Sequence, residues 1–315
     1  MRDQGISSAA RGFVVISALG FGATACGGSD DKAPAATTGI TADTITWTSG
    51  DFVVPPDEDF ECFYTDLITD RELSVLSAGA KQGIGGHHVS VYYVDNPRPP
   101  GRQNCAGNTE MVDWHFVVGA GGEGNTLEGV ASLPPGLAIK VPKGKQFMVQ
   151  THYINATGEN QTVHDQLIVH LIDPKDVKSY ASDFVIDDDQ WELAPQSKLT
   201  STMTCTTQQE VKLAMLLGHM HEHGTHYTLE TLDAQGQATV VYDHDWMPSY
   251  SSHPPILKYT MEDPLTFPAG TKFRQTCTWD NESDRTLIFP TEMCIGFGYY
   301  FPGESRLQCE RDATP

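Results

Sequence analysis

Hydrophobic positions along the chain come in short runs rich in β-branched and aromatic residues, set off by polar turn clusters. The runs include "HHVSVYYV", "QFMVQTHYI", "LIVHLI", "VKLAMLLGHMH", "HYTLETL" and "ATVVYDHD". Clusters such as "DNPRPPG", "LPPGL" and "DNESD" separate them, and this punctuation marks strands joined by turns. Stretches with a helical period are scarce. The pattern predicts an all-β protein of the sandwich or jelly-roll kind. A soft boundary at residues 173–200 leaves two β-rich halves of similar length, enough chain for two domains.

The N-terminus departs from this pattern. Arg2 and Arg11 precede an apolar run, "FVVISALGFGATA", that ends at Cys26. It is too short to span a membrane and reads as a secretory signal over residues 1–25. "ATAC" followed by "GGSDDKAPAATTG" resembles a bacterial lipoprotein signal, with Cys26 as the lipidated residue. Such signals usually carry Leu where Ala23 stands, and Gly27 after the cysteine points to the outer membrane. Residues 26–44 read as a flexible tether of small and polar residues. The expectation is an exported lipoprotein, periplasmic or anchored at the outer membrane or cell surface. It touches membrane only through its lipid, with domains at 45–175 and 176–311.

Charge and cysteines narrow the picture. The formal net charge is -21, which argues against binding nucleic acid or anionic lipid through a basic surface. Apart from Cys26 there are Cys62, Cys105, Cys205, Cys277, Cys294 and Cys309. An even number in an exported chain predicts three disulfides. No CxxC pair occurs, and spacing alone does not choose among the pairings.

The candidate chemistry lies in the 12 histidines. Side chains on a strand alternate between faces, so the adjacent His87 and His88 of "GGHHV" cannot share a face unless Gly85 and Gly86 bend the backbone. His219 and His221 of "GHMH" are two residues apart, so a strand presents both on one face, a ready ligand pair for a transition metal. Glu222 then points the other way. Met293, in "PTEMCIGFGYYF", offers a thioether that favours Cu(I). Taken singly, an HxH pair also fits ordinary surface or core histidines, and a lone methionine fits core filler. No HExxH, GxSxG or P-loop occurs, which removes the common hydrolase and nucleotide-binding signatures.

Four motifs in order, "GGHHV" at 85–89, "VQTHY" at 149–153, "GHMH" at 218–221 and "EMC" at 292–294, resemble those of the copper type II, ascorbate-dependent monooxygenases. The resemblance covers roughly residues 55–310. It implies two jelly-roll β-sandwich domains around an inter-domain cleft, each holding one copper ion, facing each other across solvent. By position, His87, His88 and His152 would ligate an electron-transfer copper. His219, His221 and Met293 would ligate the copper where O2 and substrate react, and so would be the catalytic set. The resemblance also implies pairings Cys62–Cys105, Cys205–Cys309 and Cys277–Cys294; two further disulfides of that family's first domain have no cysteines here. The implied reaction takes a substrate C–H bond, O2 and two electrons to an alcohol and water. The electrons come from ascorbate or another one-electron reductant.

Some departures bear on the substrate. Leu217, Ile295 and Phe297 stand where the peptide-amidating members carry polar groups that hold a peptide's terminal carboxylate. A neutral or hydrophobic small molecule is therefore expected rather than a peptide. Gln150, two residues before His152, is expected to support it, and His170 to line a strand near the first set without ligating. His115, His164, His223, His226, His244 and His253 read as surface or packing residues, and Trp279 and "GYYF" as core aromatics. Two other classes stay open: a non-catalytic copper-binding or storage lipoprotein, and a structural β-sandwich with incidental histidines.

Overall fold

The computed structural model describes residues 36–105, 113–122, 127, 131–251, 253–289 and 291–313. The expected signal, Cys26 and the start of the tether lie outside them. In chain order the first strands are β1 (Thr37–Ile40), β2 (Thr44–Val54), β3 (Asp57–Ile68), β4 (Leu73–Lys81), β5 (Gly86–Val94), β6 (Gly101–Asn104) and β7 (Trp114–Ala120). Then come β8 (Ala131–Ser132), β9 (Leu137–Val141), β10 (Gln146–Asn155), β11 (Gln161–Leu171), β12 (Ser179–Asp187), β13 (Ser197–Thr206) and β14 (Val211–His219). The last are β15 (Gly224–Leu232), β16 (Ala238–Asp245), β17 (Leu257–Lys258), β18 (Leu265–Phe267), β19 (Lys272–Asn281), β20 (Ile295–Tyr300) and β21 (Leu307–Cys309). No α-helix occurs among the described residues, as the hydrophobic pattern predicts.

The strands form two sandwiches that share a sheet. A 12-stranded sheet runs β1-β2-β11-β4-β9-β12-β20-β14-β17, with β8, β18 and β21 alongside. A 5-stranded sheet, β6-β3-β10-β5-β7, covers its first part, and a 4-stranded sheet, β13-β19-β15-β16, covers its second. Trp47 and Phe52 of the large sheet meet Phe63 and Tyr153 across the first core. Phe184 meets Phe273 in the second, above a fully buried Trp279. Removing such an aromatic side chain from water contributes about 1.5–3 kcal/mol. Strand alternation assigns the faces. On β10, Phe147, Val149 and Tyr153 point into the first core, so Met148, Gln150 and His152 lie on the outer face of the 5-stranded sheet.

That outer face meets the second sandwich. The parallel pair β9–β12 joins the halves through the backbone. Phe116 packs edge-on against Phe297 with ring centroids 5.4 Å apart. The Tyr299 hydroxyl donates to the Val117 carbonyl at 3.1 Å, and Arg306 donates to the Trp114 carbonyl at 3.2 Å while its Nε reaches Asp183 at 2.6 Å. Ala33–Pro315 accordingly form one compact unit. The expected division at 175/176 falls in the short turn between β11 and β12.

Strand pairing begins earlier than expected. Thr37–Ile40, assigned above to the tether, pairs antiparallel with β2 from Thr37 opposite Thr48 to Ile40 opposite Ile45, so the strand pattern of "TITW" recruits part of that segment. The disulfides are Cys62–Cys105, Cys205–Cys309 and Cys277–Cys294, the implied pairings. Three such bonds fit an exported protein.

Candidate metal centre

The adjacent histidines reach one another through a β-bulge. β5 pairs with β10 so that His88 lies opposite His152, but the next pair is Gly86 opposite Tyr153. His87 is the extra residue, and a bulge re-aims its side chain. Two glycines make the bend possible. Gly85 has φ +78°, and a Cβ there would sit 2.7 Å from the Ile154 carbonyl oxygen. A Cβ on Gly86 would sit 2.3 Å from the Cβ of Gln82. The His87 and His88 rings are 4.5 and 4.9 Å from that of His152, centroid to centroid.

One potential ligand atom from each of the three histidines lies within 4.8 Å of the other two. Imidazole–metal bonds of about 2 Å span at most about 4 Å between two ligand nitrogens, so a small side-chain adjustment suffices. The outer partners fix the tautomers. Glu58 accepts from His152 Nε2 at 2.9 Å. Ser251 donates its proton to the Pro248 carbonyl at 2.5 Å, so its Oγ accepts from His87 Nε2 at 3.1 Å. The two Nδ1 atoms, left as lone-pair donors, face each other at 2.9 Å. Burial, with the neighbouring imidazoles, pushes His87 down to about 4 and holds His88 and His152 well below the usual imidazole range. At neutral pH these rings are uncharged, and two neutral nitrogens with converging lone pairs make a site for a cation. Phe60 stacks on His152 at 3.8 Å.

The second set follows the strand's own period. β14 ends at His219; Met220 turns into the second core, and His221 returns to the face of His219 with its ring 5.1 Å away. Burial also holds His219 well below the usual range. His221 Nδ1 donates to the Thr291 carbonyl at 2.9 Å, which leaves Nε2 as the free donor atom. Ile295 pairs with His219, and Met293 lies two residues before it, just ahead of β20. The Cys277–Cys294 disulfide pins the backbone beside it. A fully buried Glu292 knits these parts together. Its carboxylate accepts from the backbone N–H of His221 at 2.5 Å, of His223 at 3.0 Å and of Met293 at 3.1 Å.

The two sets lie closer than the resemblance implies. The His152 and His221 rings are 6.5 Å apart, so the expected solvent gap is closed at the histidines. Beside them is a cavity of about 350 Å³, lined among others by Asp57, Glu58, His221, Glu222, Arg285 and Glu292. Leu217 pairs with Phe297, and Ile295 with His219, so the three apolar replacements share the face of the second set.

Two supporting expectations need correction. Gln150 directs its amide at the sulfurs of Cys105 and Cys62, at 3.7 and 4.0 Å, rather than at a histidine. His170 lies on β11 in the opposite sheet, facing away from the core that Val169 enters, rather than beside the first set. His115, His164 and His226 pair with surface aspartates. Glu58 and Ser251 carried no sequence signal, since each acts across a tertiary contact. Glu292 stood in plain view inside "EMC".

No protein-family model matches the chain, and no curated protein matches it. Among solved structures it is similar to a chain of the Sulfolobus turreted icosahedral virus, with 8% identity over 86% of this chain and 60% of that one at a TM-score of 0.24. It is also similar to PNGase F, a glycosylasparaginase from Flavobacterium meningosepticum, with 10% identity over 88% and 97% at 0.29. Allantoicase follows with 9% identity over 82% and 76% at 0.22. Likenesses this slight carry no argument.

Proposed function

We propose that the protein is a copper-dependent monooxygenase that hydroxylates a C–H bond of a small neutral or hydrophobic molecule, using O2 and ascorbate or another one-electron reductant. The observation that carries the reading is the convergence of the His87 and His152 Nδ1 atoms at 2.9 Å, with the His219/His221 pair 5.1 Å apart at the end of β14 and Met293 just ahead of β20. All-nitrogen and nitrogen–thioether donor sets suit copper. His87, His88 and His152 would hold one ion, and His219, His221 and Met293 the other. Copper at these positions would supply the one-electron redox chemistry that O2-dependent hydroxylation needs.

The chain's own residues supply the rest. Glu58 and Ser251 hold two ligands of the first set in the metal-binding tautomer, and the Thr291 carbonyl does so for His221. Leu217, Ile295 and Phe297 line the second set with hydrocarbon and present no donor to a carboxylate. Asp57, Glu58 and Glu222 outnumber Arg285 at the cavity and disfavour an anion. Export as a lipoprotein anchored through Cys26 belongs to this reading.

The test is copper titration of the full chain, followed by ascorbate-driven O2 uptake over a panel of small neutral molecules. Two ions bound, one lost in His219→Ala or Met293→Ala and the other in His88→Ala, with substrate-dependent uptake, is the expected result. Two ions without uptake would make the protein a copper-binding lipoprotein. Failure to bind copper would leave a structural sandwich.

A further inference from the structure

The hydrogen bond to His87 does not come from its own sandwich. Ser251 ends a short turn, Pro248–Ser251, between β16 and β17 of the second sandwich. It is 4% exposed. The turn is tied to the second set at its root: Trp246 N–H donates to the Thr225 carbonyl at 2.8 Å, and Trp246 Nε1 donates to the His221 carbonyl at 3.0 Å. Within the turn, Tyr250 N–H donates to the Met247 carbonyl at 2.8 Å, and the Tyr250 ring packs edge-on against Trp246 at 5.6 Å. A continuous line of contacts thus runs from the backbone of His221, through Trp246 and the turn, to the imidazole of His87.

We infer that Ser251 is a positioning residue that reaches from the second sandwich to fix the tautomer of His87 in the first, so that the first donor set is complete only while the two sandwiches are closed on each other. The inference rests on His87 being a metal ligand. The Ser251 proton is committed to the Pro248 carbonyl, so its Oγ can only accept from His87. That places the ring proton on Nε2 and the lone pair on Nδ1, toward His152. Without the acceptor, the proton is free to sit on Nδ1 and donate to His152 across their 2.9 Å contact. That tautomer consumes both lone pairs of the metal site.

The experiment compares wild type with Ser251→Ala and Ser251→Thr in the full chain. One arm titrates Cu(I) against a competing chelator; the other reads the His87 tautomer of the metal-free protein at neutral pH by nitrogen NMR. Loss of a partner of this kind costs about 10–100-fold in metal affinity. Ser251→Ala should therefore weaken one ion by about that much and leave the other unchanged, which also reports that the variant is folded. The His87 signal should move from Nε2–H toward Nδ1–H, and Ser251→Thr, which keeps the hydroxyl, should restore both readouts. Unchanged affinity with Nε2–H retained in Ser251→Ala would overturn the inference, as would equal weakening of both ions. If His87→Ala leaves both ions bound, the reading of His87 as a ligand fails instead.

Discussion

Replacing Glu292 tests how the second donor set is held. Its carboxylate is fully buried and accepts three backbone N–H groups, from His221, His223 and Met293. Truncation to alanine leaves those donors facing a cavity. A buried donor without an acceptor costs about 1–3 kcal/mol, and more where the lost partner is charged. His223 is only half-buried and water can replace part of its bond, so the total comes to about 3–6 kcal/mol. That is a large share of the roughly 5–15 kcal/mol typical of a folded domain. Glu292→Gln keeps one carbonyl oxygen for two of the donors but turns an amide N–H toward the third, so its cost should be about 1–3 kcal/mol. Urea unfolding followed by tryptophan fluorescence measures both, and copper titration follows the sites. The ion assigned to His219, His221 and Met293 should be lost in Glu292→Ala before the first one is affected. A Glu292→Ala protein within about 1 kcal/mol of wild type, still binding two ions normally, would refute the claim that this carboxylate organises the site.

Two further predictions concern the first sandwich. Burial pushes Asp165 up to about 7 from an ordinary 3.8, while Tyr153 donates to its Oδ1 and Oδ2 is buried without a partner. The folded state then keeps a proton that the unfolded chain releases above about pH 4, so stability present below that pH is lost as pH rises through about 7, at up to about 1.4 kcal/mol per unit. Asp165→Asn should remove that slope in urea titrations between pH 4.5 and 7.5, and parallel wild-type and variant curves would contradict it. Gly86→Ala drives a Cβ to 2.3 Å from Gln82 Cβ and 2.9 Å from the Gly83 carbonyl oxygen; it should destabilise by more than the ~1 kcal/mol typical of a tolerated glycine exchange. It should also weaken the ion that depends on His88, and normal affinity would mean that the bulge does not place His87.

The sequence carries some parts of this arrangement and hides others for physical reasons. Strand content is legible because period-two alternation and turn clusters are local. His219 and His221 are legible for the same reason: β14 ends at His219, but the alternation carries on past its end and leaves the two rings 5.1 Å apart. "GGHHV" is half legible. Two glycines announce a bend, but only the register against β10 shows that His87 is the inserted residue of a bulge. The partners that set tautomers are not legible at all, because Glu58 and Ser251 lie 94 and 164 residues from the histidines they hold. Gln150 misled because sharing a face with His152 does not say what the side chain touches; the disulfide beside it wins. Thr37–Ile40 misled because small polar residues read as linker until a neighbouring strand offers them a ladder.

Closure of the two sandwiches and the character of the proposed substrate site are one problem. Phe297 belongs to the apolar row beside His219, yet its ring also packs on Phe116 of the first sandwich. Tyr299, two residues on, is tied to Val117. Whatever hydrocarbon occupies the row therefore competes with the inter-sandwich contact for the same aromatic surface. On that reading, a larger substrate would have to part Phe116 from Phe297. The polar replacements that a carboxylate would need are missing from this row, and the first sandwich already covers part of it. On the proposed reading, the chemistry of Leu217, Ile295 and Phe297 and the packing of Phe116 on Phe297 point the same way, toward a compact apolar substrate, and both run through Phe297.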